Sequence, residues 1–490
     1  MLISISTLLR LIIGSSIELG NDEVYYLLYA KFPDLSHFDH PPFVGFFIQF
    51  FTFNLTFDGE LAIRLAAIIP TSISMYITFL IGCHLRNQFV GFVTVLLYNL
   101  SIYGFIISGT FILPDSPMVL FWMLSIYFLL LSITHTPAKN RKFYLVLAFL
   151  FIAFALYSKY QAIFLLFGLI VFVALFNRAW LTTWVFYLGF ILPLISLGLI
   201  LYWNYQNDFI SFTFHSNRVS LFDFSFNKDS FLRELIGQVL YSNPYIFLLT
   251  ISFLIASARK KIRFDGHLVK FFLIFSFPLI FTTFYLSFFR NTLPHWSGIS
   301  YLTLLPLLAV YIEEKRKIDY RLFFGFVSFL ILIFFLVLEI NFGWISPSSN
   351  EVRKAWIGRK DPIMDMYGWR QSSKLISDYL LEHPDEKYPI ISDKWFPAAH
   401  LDYYIAAPNN LNLYAIGDLK NIHKYYWINK IRPDISNENH FFYFTDSRNY
   451  RNPKDVYKEQ FKDYKRLKEF PIVRNGKVVK YLFMYKLTKG

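Results

Sequence analysis

The sequence predicts a polytopic α-helical membrane protein with about eleven transmembrane helices, followed by a C-terminal soluble α/β domain. Three observations carry this. Of 490 residues, 55% are hydrophobic and 21% aromatic, and only 17% are charged, against about 25% in an average soluble protein. The apolar residues come in long blocks: residues 89–114, 180–207, 235–258 and 322–338 contain no Asp, Glu, Lys or Arg. After residue 340 the composition changes, and residues 341–490 hold 25 Lys and Arg with 17 Asp and Glu.

A bilayer core about 30 Å thick takes about 20 apolar helical residues. Spans are expected near 2–18, 61–83, 89–110, 116–135, 143–157, 161–176, 181–203, 236–257, 268–288, 297–312 and 322–339, the fifth and sixth being short. The first lacks a basic leader region and a small-residue cleavage site, so it reads as a retained span. Alternate loops are basic: Arg86; Lys139, Arg141 and Lys142; Arg178; Arg259, Lys260, Lys261 and Arg263; Lys315, Arg316 and Lys317. The positive-inside rule puts these loops in the cytoplasm. The other loops and the C-terminus then face outward.

Two outer loops exceed what a connection needs. Residues 20–60 contain two amphipathic stretches, 22–32 and 42–54, suited to lying along a membrane surface as interfacial helices. Residues 208–233 are mixed polar and aromatic. In the tail, 341–490, residues 371–382 are expected to be helical. Strands are expected at 388–392, 411–416 and 441–444. Asn475-Gly476 between 471–474 and 478–485 is a hairpin signal. The expected division is therefore a membrane domain, 1–340, and a non-cytoplasmic domain, 341–490.

The net charge of +13 would suggest nucleic acid in a soluble protein. Here the basic residues collect in short loops, so the bilayer is the partner and nucleic acid is not. The single cysteine, Cys83, excludes an internal disulfide and a cysteine-rich metal site.

The expected outer loops carry ionisable residues that mere connectors would not need: Asp22, Glu23, Asp39, His40, Asp115, Lys159, His215, Arg218, Arg290 and His295. Such groups at membrane depth are costly and tend to mark sites. Adjacent Asp22 and Glu23 can act as base and orienting group, or as a helix cap with a first-turn acid. In Phe38-Asp39-His40-Pro41-Pro42 the prolines hold His40 extended beside Asp39, and both are metal-ligand types. The plain alternative is a capped turn. Asp115, in Pro114-Asp115-Ser116-Pro117, is also explained by an N-cap. Lys159, in Ser158-Lys159-Tyr160, is either a snorkelling side chain or a charge gripping a lipid phosphate. Arg218 and Arg290 suit the same grip. His295 lies beside an interfacial tryptophan in Pro294-His295-Trp296.

Taken in order, Asp22-Glu23-Val24-Tyr25-Tyr26, Phe38-Asp39-His40-Pro41-Pro42, Pro114-Asp115-Ser116-Pro117 and Ser158-Lys159-Tyr160 resemble the motifs of the GT-C glycosyltransferases, in the superfamily of protein O-mannosyltransferases and lipid A aminoarabinose transferases. The resemblance covers about residues 1–340. The tail, with Gly368-Trp369-Arg370, is similar to the soluble domain some members carry. It implies a polyprenyl-phosphate-linked sugar as donor and a hydroxyl of a glycolipid, glycan or protein as acceptor on the outer face. It implies Asp22 as the catalytic carboxylate, with Glu23 beside it, and Asp115 as a second outer-loop acid. Asp39 and His40 match an acid–lysine pair near donor phosphate and metal, with histidine in place of the lysine. A divalent metal is compatible with these residues and not required by them. The implied location is a bacterial inner (plasma) membrane, with site and tail on the periplasmic side.

The chemistry agrees. A sugar on a lipid phosphate has an activated leaving group, so inverting single displacement needs one base and cations to hold the departing phosphate. The rival reading is a transporter or flippase of lipid-linked glycans. It would place its polar residues at the bilayer midplane within repeats, whereas here they sit at one expected interface and no repeat is visible. A non-catalytic scaffold would have no use for them.

Overall fold

The computed structural model describes residues 1–134, 138–219, 225–315, 320–345, 354–359 and 361–490, without the side chains of 138, 139, 217–219, 321, 362 and 459. Of the loop cations named above, Arg316, Lys317 and the Lys139 side chain fall outside this description. Contacts divide the described chain into two compact units, one of residues Met1–Gly14 and Pro33–Ile331, the other of Ser15–Phe32 and Leu332–Gly490.

The first unit is helical throughout. Its helices, with those that run across its boundaries, are α1 (Leu2–Ser16), α2 (Asn21–Lys31, of the second unit), α3 (Phe43–Phe51), α4 (Glu60–Leu85), α5 (Gln88–Leu100), α6 (Asp115–Thr134), α7 (Ala138–Leu156) and α8 (Ile163–Phe176). There follow α9 (Trp184–Gly189), α10 (Ile191–Gln206), α11 (Ile210–Val219), α12 (Lys228–Ser242), α13 (Pro244–Ala258), α14 (Gly266–Ser287), α15 (Gly298–Glu314) and α16 (Tyr320–Phe342). Each of the eleven expected spans overlaps a helix, although 89–110 runs past the end of α5 at Leu100. Among the described residues six helices are long and apolar enough to cross a membrane, or eight if each of two bent helix pairs is one span. One of those pairs is α12 and α13, which meet at 97° at Asn243-Pro244. Two further expected spans coincide with shorter apolar helices, Gln88–Leu100 and Tyr160–Phe176. The protein is an integral membrane protein.

Packing follows from composition. In α15 every residue from Gly298 to Ile312 is buried, which makes it the central helix, packed against α4, α5 and α14. The window of α10 with α9 is only 33% buried, so its apolar face is left for lipid. After α5 the chain makes a π turn, Tyr103–Ile107, a wide turn that often accompanies functional sites.

The second unit contains a mixed five-stranded sheet: β1 (Ile390–Ser392), β2 (Leu413–Ala415), β3 (His440–Asp446), β4 (Asp463–Arg474) and β5 (Lys477–Thr488). The order is β2-β1-β3-β5-β4. The β1 strand is parallel to both β2 and β3, and β5 is antiparallel to β3 and β4. The expected strands and the hairpin at Asn475-Gly476 are present, and both turn residues have positive φ, 49° and 73°, as a two-residue hairpin turn of this hand requires. The expected helix is α17 (Trp369–Glu382). It enters from Gly368 at φ +90°, where a Cβ would come within 2.5 Å of Ile472.

Within this unit the segment Ser15–Phe32, expected in the membrane domain, is bound to residues of the tail. The Glu18 carboxylate accepts from the backbone N–H groups of Trp369 (2.6 Å) and Arg370 (3.1 Å). The Leu19 N–H donates to the Tyr404 oxygen at 2.9 Å, and the His400 ring donates to the Leu19 carbonyl at 3.1 Å. Tyr25 packs on Trp395 and His423. Residues Glu23 to Ala30 are all buried, so α2 is enclosed by protein and does not rest on one amphipathic face. The second expected amphipathic stretch forms α3, with Val44, Gly45 and Ile48 buried.

Candidate functional site

In the first unit the sequence motifs converge. Asp115 begins α6, yet its side chain does not cap that helix. One carboxylate oxygen accepts from the Lys159 ammonium at 2.6 Å and the other from the Tyr103 hydroxyl at 2.8 Å. Both charged side chains are about 3% exposed, so Lys159 does not snorkel to water. Tyr103 reaches this position because its π turn points it inward and because residue 298 is glycine. A Cβ there would overlap the Tyr103 ring.

Around this pair stand the histidines. His295, in the turn before α15, lies within electrostatic reach of both Asp115 and Lys159. His40 feels Asp39, Lys159, His215 and Asp115. Its ring is 6.3 Å from that of His215 and 6.4 Å from that of Tyr160. His215, on α11, donates from Nε2 to the Asp39 carbonyl at 2.8 Å. Desolvation pulls the His40 pKa down to about 3, with Lys159 and His215 lowering it and Asp39 opposing. His40 is therefore neutral at physiological pH. It can offer a hydrogen bond or a lone pair, but not the positive charge of the lysine that the resemblance puts there.

Of the expected site residues, Asp39, His40, Asp115, Lys159 and His295 are thus brought together in one cluster. Arg290 follows α14 in the same unit and is half-buried. Arg218 lies on α11, and its side chain is outside the described residues. Asp22 and Glu23 belong to the second unit. There the cap of α2 is Gly20, not Asp22. Buried Glu23 reaches back to accept from the Gly20 N–H at 2.9 Å, which occupies it locally. Asp22 stands one position earlier and is exposed.

As metal ligands, Asp39 and His40 fall short of a set. Among the described residues no group of three or more His, Cys, Asp or Glu is placed to hold a metal ion.

Sequence reasoning missed Tyr103, which sits in an uncharged run and carries no signal of its own. It also missed Glu234. This carboxylate is fully buried on α12, accepting from Gln238 at 3.0 Å and from the Thr292 hydroxyl at 2.7 Å. Gln238 in turn accepts from the Tyr301 hydroxyl at 2.8 Å. Ser230, also on α12, donates to the Arg290 carbonyl and accepts from the Thr292 N–H. One face of α12 thereby fastens the segment that carries Arg290 and His295. The i, i+4 spacing of Glu234 and Gln238 was the available signal.

Comparison with known proteins bears on the fold and on part of the sequence. A crystal structure of ArnT from Cupriavidus metallidurans bound to undecaprenyl phosphate superposes with a TM-score of 0.61 at 12% identity, covering 99% of this chain and 97% of that one. The chain has the GT-C glycosyltransferase fold. The apo form of the same ArnT gives a TM-score of 0.59 at 12% identity with the same coverage. In sequence, the model of the dolichyl-phosphate-mannose-protein mannosyltransferase family matches residues 39–203 of this chain. That stretch contains Asp39, His40, Asp115 and Lys159. No curated protein matches it in sequence.

Proposed function

We propose that the protein transfers a sugar from a polyprenyl-phosphate-linked donor to an acceptor hydroxyl on the outer face of a bacterial inner membrane, by inverting single displacement. The observation that carries this reading is the buried Asp115–Lys159 pair ringed by His40, His215 and His295 in a membrane protein of GT-C fold. The lipid-phosphate ligand of the ArnT structure and the lipid-phosphate sugar in the family's description support the donor class.

In this mechanism a carboxylate, the role that the resemblance gives to Asp22, takes the acceptor proton as the hydroxyl oxygen bonds to the anomeric carbon. The bond from that carbon to the phosphate oxygen breaks, and polyprenyl phosphate leaves with the electron pair. Lys159, held by Asp115, has N–H donors left for a phosphate oxygen, and Arg218 and Arg290 add positive charge. His40, Asp39 and His295 complete the donor pocket. A positioned base contributes about 10²- to 10⁴-fold.

Purified protein in lipid nanodiscs, given labelled polyprenyl-phosphate sugars and native lipid extract, should release polyprenyl phosphate and label an acceptor. Asp22→Asn should insert normally, bind donor and turn over at least about a hundredfold more slowly. Transmembrane movement of intact donor without release of polyprenyl phosphate would instead identify a transporter.

A further inference from the structure

The sheet of the second unit has a topological switch point. From β1 the chain passes to β2 on one side, then returns to β3 on the other. In sheets of this kind, ligands bind in the crevice beyond the carboxyl ends of the strands where the order reverses. A cavity lies there. It is lined by Asp393, Lys394, Phe396 and Pro397 just after β1, by Tyr443 to Asp446 at the end of β3, and by Asn449 and Arg451. Its volume is about 130 Å³, about ten times the space one ordered water needs.

The lining states what would fit. Asp393 and Asp446 are balanced by Lys394 and Arg451, so the cavity favours no strong net charge. Arg451 pairs with Asp393 across the mouth. The turn after β1, Ser392-Asp393-Lys394-Trp395, has no glycine and puts a carboxylate where a dinucleotide would need a phosphate cradle. Asp446 accepts one bond from the Asn449 N–H at 2.7 Å. Asn449 and Lys394, both exposed, make no side-chain hydrogen bond to protein among the described residues. Donors and acceptors thus face one small space, and hydroxyl groups, which are both, satisfy such a set. Phe396 and Pro397 give it an apolar wall.

The geometry points to a second ligand site in the C-terminal domain: a crevice between the ends of β1 and β3 that binds a neutral pyranose sugar unit. It lies wholly within one unit and stands whether or not the membrane cluster transfers sugar.

The test is saturation-transfer NMR on the full-length protein in nanodiscs, with methyl α-glucoside, α-mannoside and α-galactoside as probes and inorganic phosphate as the charged control. At least one pyranoside should bind. Asn449→Trp, which closes the mouth from an exposed position, should abolish that binding, and Asn449→Ala should weaken it about tenfold. His40→Gln, in the other unit, should leave it unchanged, which separates this site from the donor cluster. The assignment is overturned if no pyranoside binds, if binding survives Asn449→Trp, or if phosphate alone is bound. A thermal melt of Asn449→Trp matching wild type shows that any loss reflects the blocked crevice; were Asn449→Trp destabilised, binding by Asn449→Ala as tight as wild type would overturn the assignment.

Discussion

The Asp115–Lys159 pair permits a worked prediction, because its environment makes the two halves unequal. Removing one member of a buried pair costs about 3–5 kcal/mol, since the other charge is stranded. Lys159→Met strands a carboxylate that still accepts from Tyr103 at 2.8 Å, a charge-assisted bond, so a loss near the low end, about 3 kcal/mol, is expected. Asp115→Ala strands an ammonium whose one hydrogen-bond acceptor among the described residues was Asp115, so a loss near the high end, about 5 kcal/mol, is expected. The double variant strands neither, and a coupling of at least about 2 kcal/mol should appear in the cycle. Unfolding in mixed detergent micelles, followed by tryptophan fluorescence, measures all four proteins. Additivity within about 0.5 kcal/mol, or Asp115→Ala no less stable than Lys159→Met, would refute the reasoning. Sugar transfer then decides role: a stable double variant that transfers at the wild-type rate would make the pair structural only.

Three further predictions rest on separate observations. Glu234→Ala should leave donor binding measurable but lower turnover about tenfold or more, because Thr292 and Gln238 lose their shared acceptor beside the Arg290–His295 segment, and Glu234→Gln should restore part of it; equal turnover in all three proteins would sink the positioning role. Stability should fall with acidity. Burial holds the His400 pKa at about 3, against about 6.5 unfolded. The unfolded chain thus binds the proton first, and stability that is full above about pH 6.5 is lost as pH falls toward 3, by up to about 1.4 kcal/mol per pH unit; His400→Gln should flatten thermal melts taken from pH 7 to 5, and an unchanged slope would contradict this. For orientation, a cysteine placed at Asn409 in a Cys83→Ser background should react with an impermeant maleimide in intact cells, and labelling only after permeabilisation would reverse the proposed sidedness.

The parts of this protein that were legible in the sequence are those set by local pattern. Uncharged runs of span length marked the helices, and alternating short runs with Asn475-Gly476 marked β3, β4 and β5. Asp39, His40, Asp115, Lys159 and His295 stood out because each is an expensive residue at the end of an apolar segment. What failed to show depends on distant pairing. Glu18 carries no hint that its partners are the backbone N–H groups of Trp369 and Arg370, so the grouping of Ser15–Phe32 with the tail was invisible. Tyr103 was hidden because only Gly298, far along the chain, makes room for it. At Asp22-Glu23 the plain alternative was a helix cap with a first-turn acid, and the cap falls instead on Gly20.

The charges within the cluster carry one more step about donor binding. Lys159 is matched by Asp115, and His40 is neutral, its pKa held at about 3. Asp39 adds a negative charge. The cluster alone therefore presents no net positive charge to a phosphate, although phosphate recognition depends on charge-assisted donors. The proposed donor then needs further cations, and those that the sequence singled out for the phosphate besides Lys159 are Arg290 and Arg218. Their replacement should accordingly weaken donor binding more than His40→Gln does. Arg290→Gln and Arg218→Gln should each raise the donor KM about tenfold, the equivalent of one charge-assisted bond at 1.4 kcal/mol, and the double variant should raise it further. His40→Gln keeps a neutral hydrogen-bonding group in place and should change KM by less than about threefold. If His40→Gln proved the most damaging of the three, the imidazole would have to be charged with donor bound, and the assignment of the phosphate to arginine would fall.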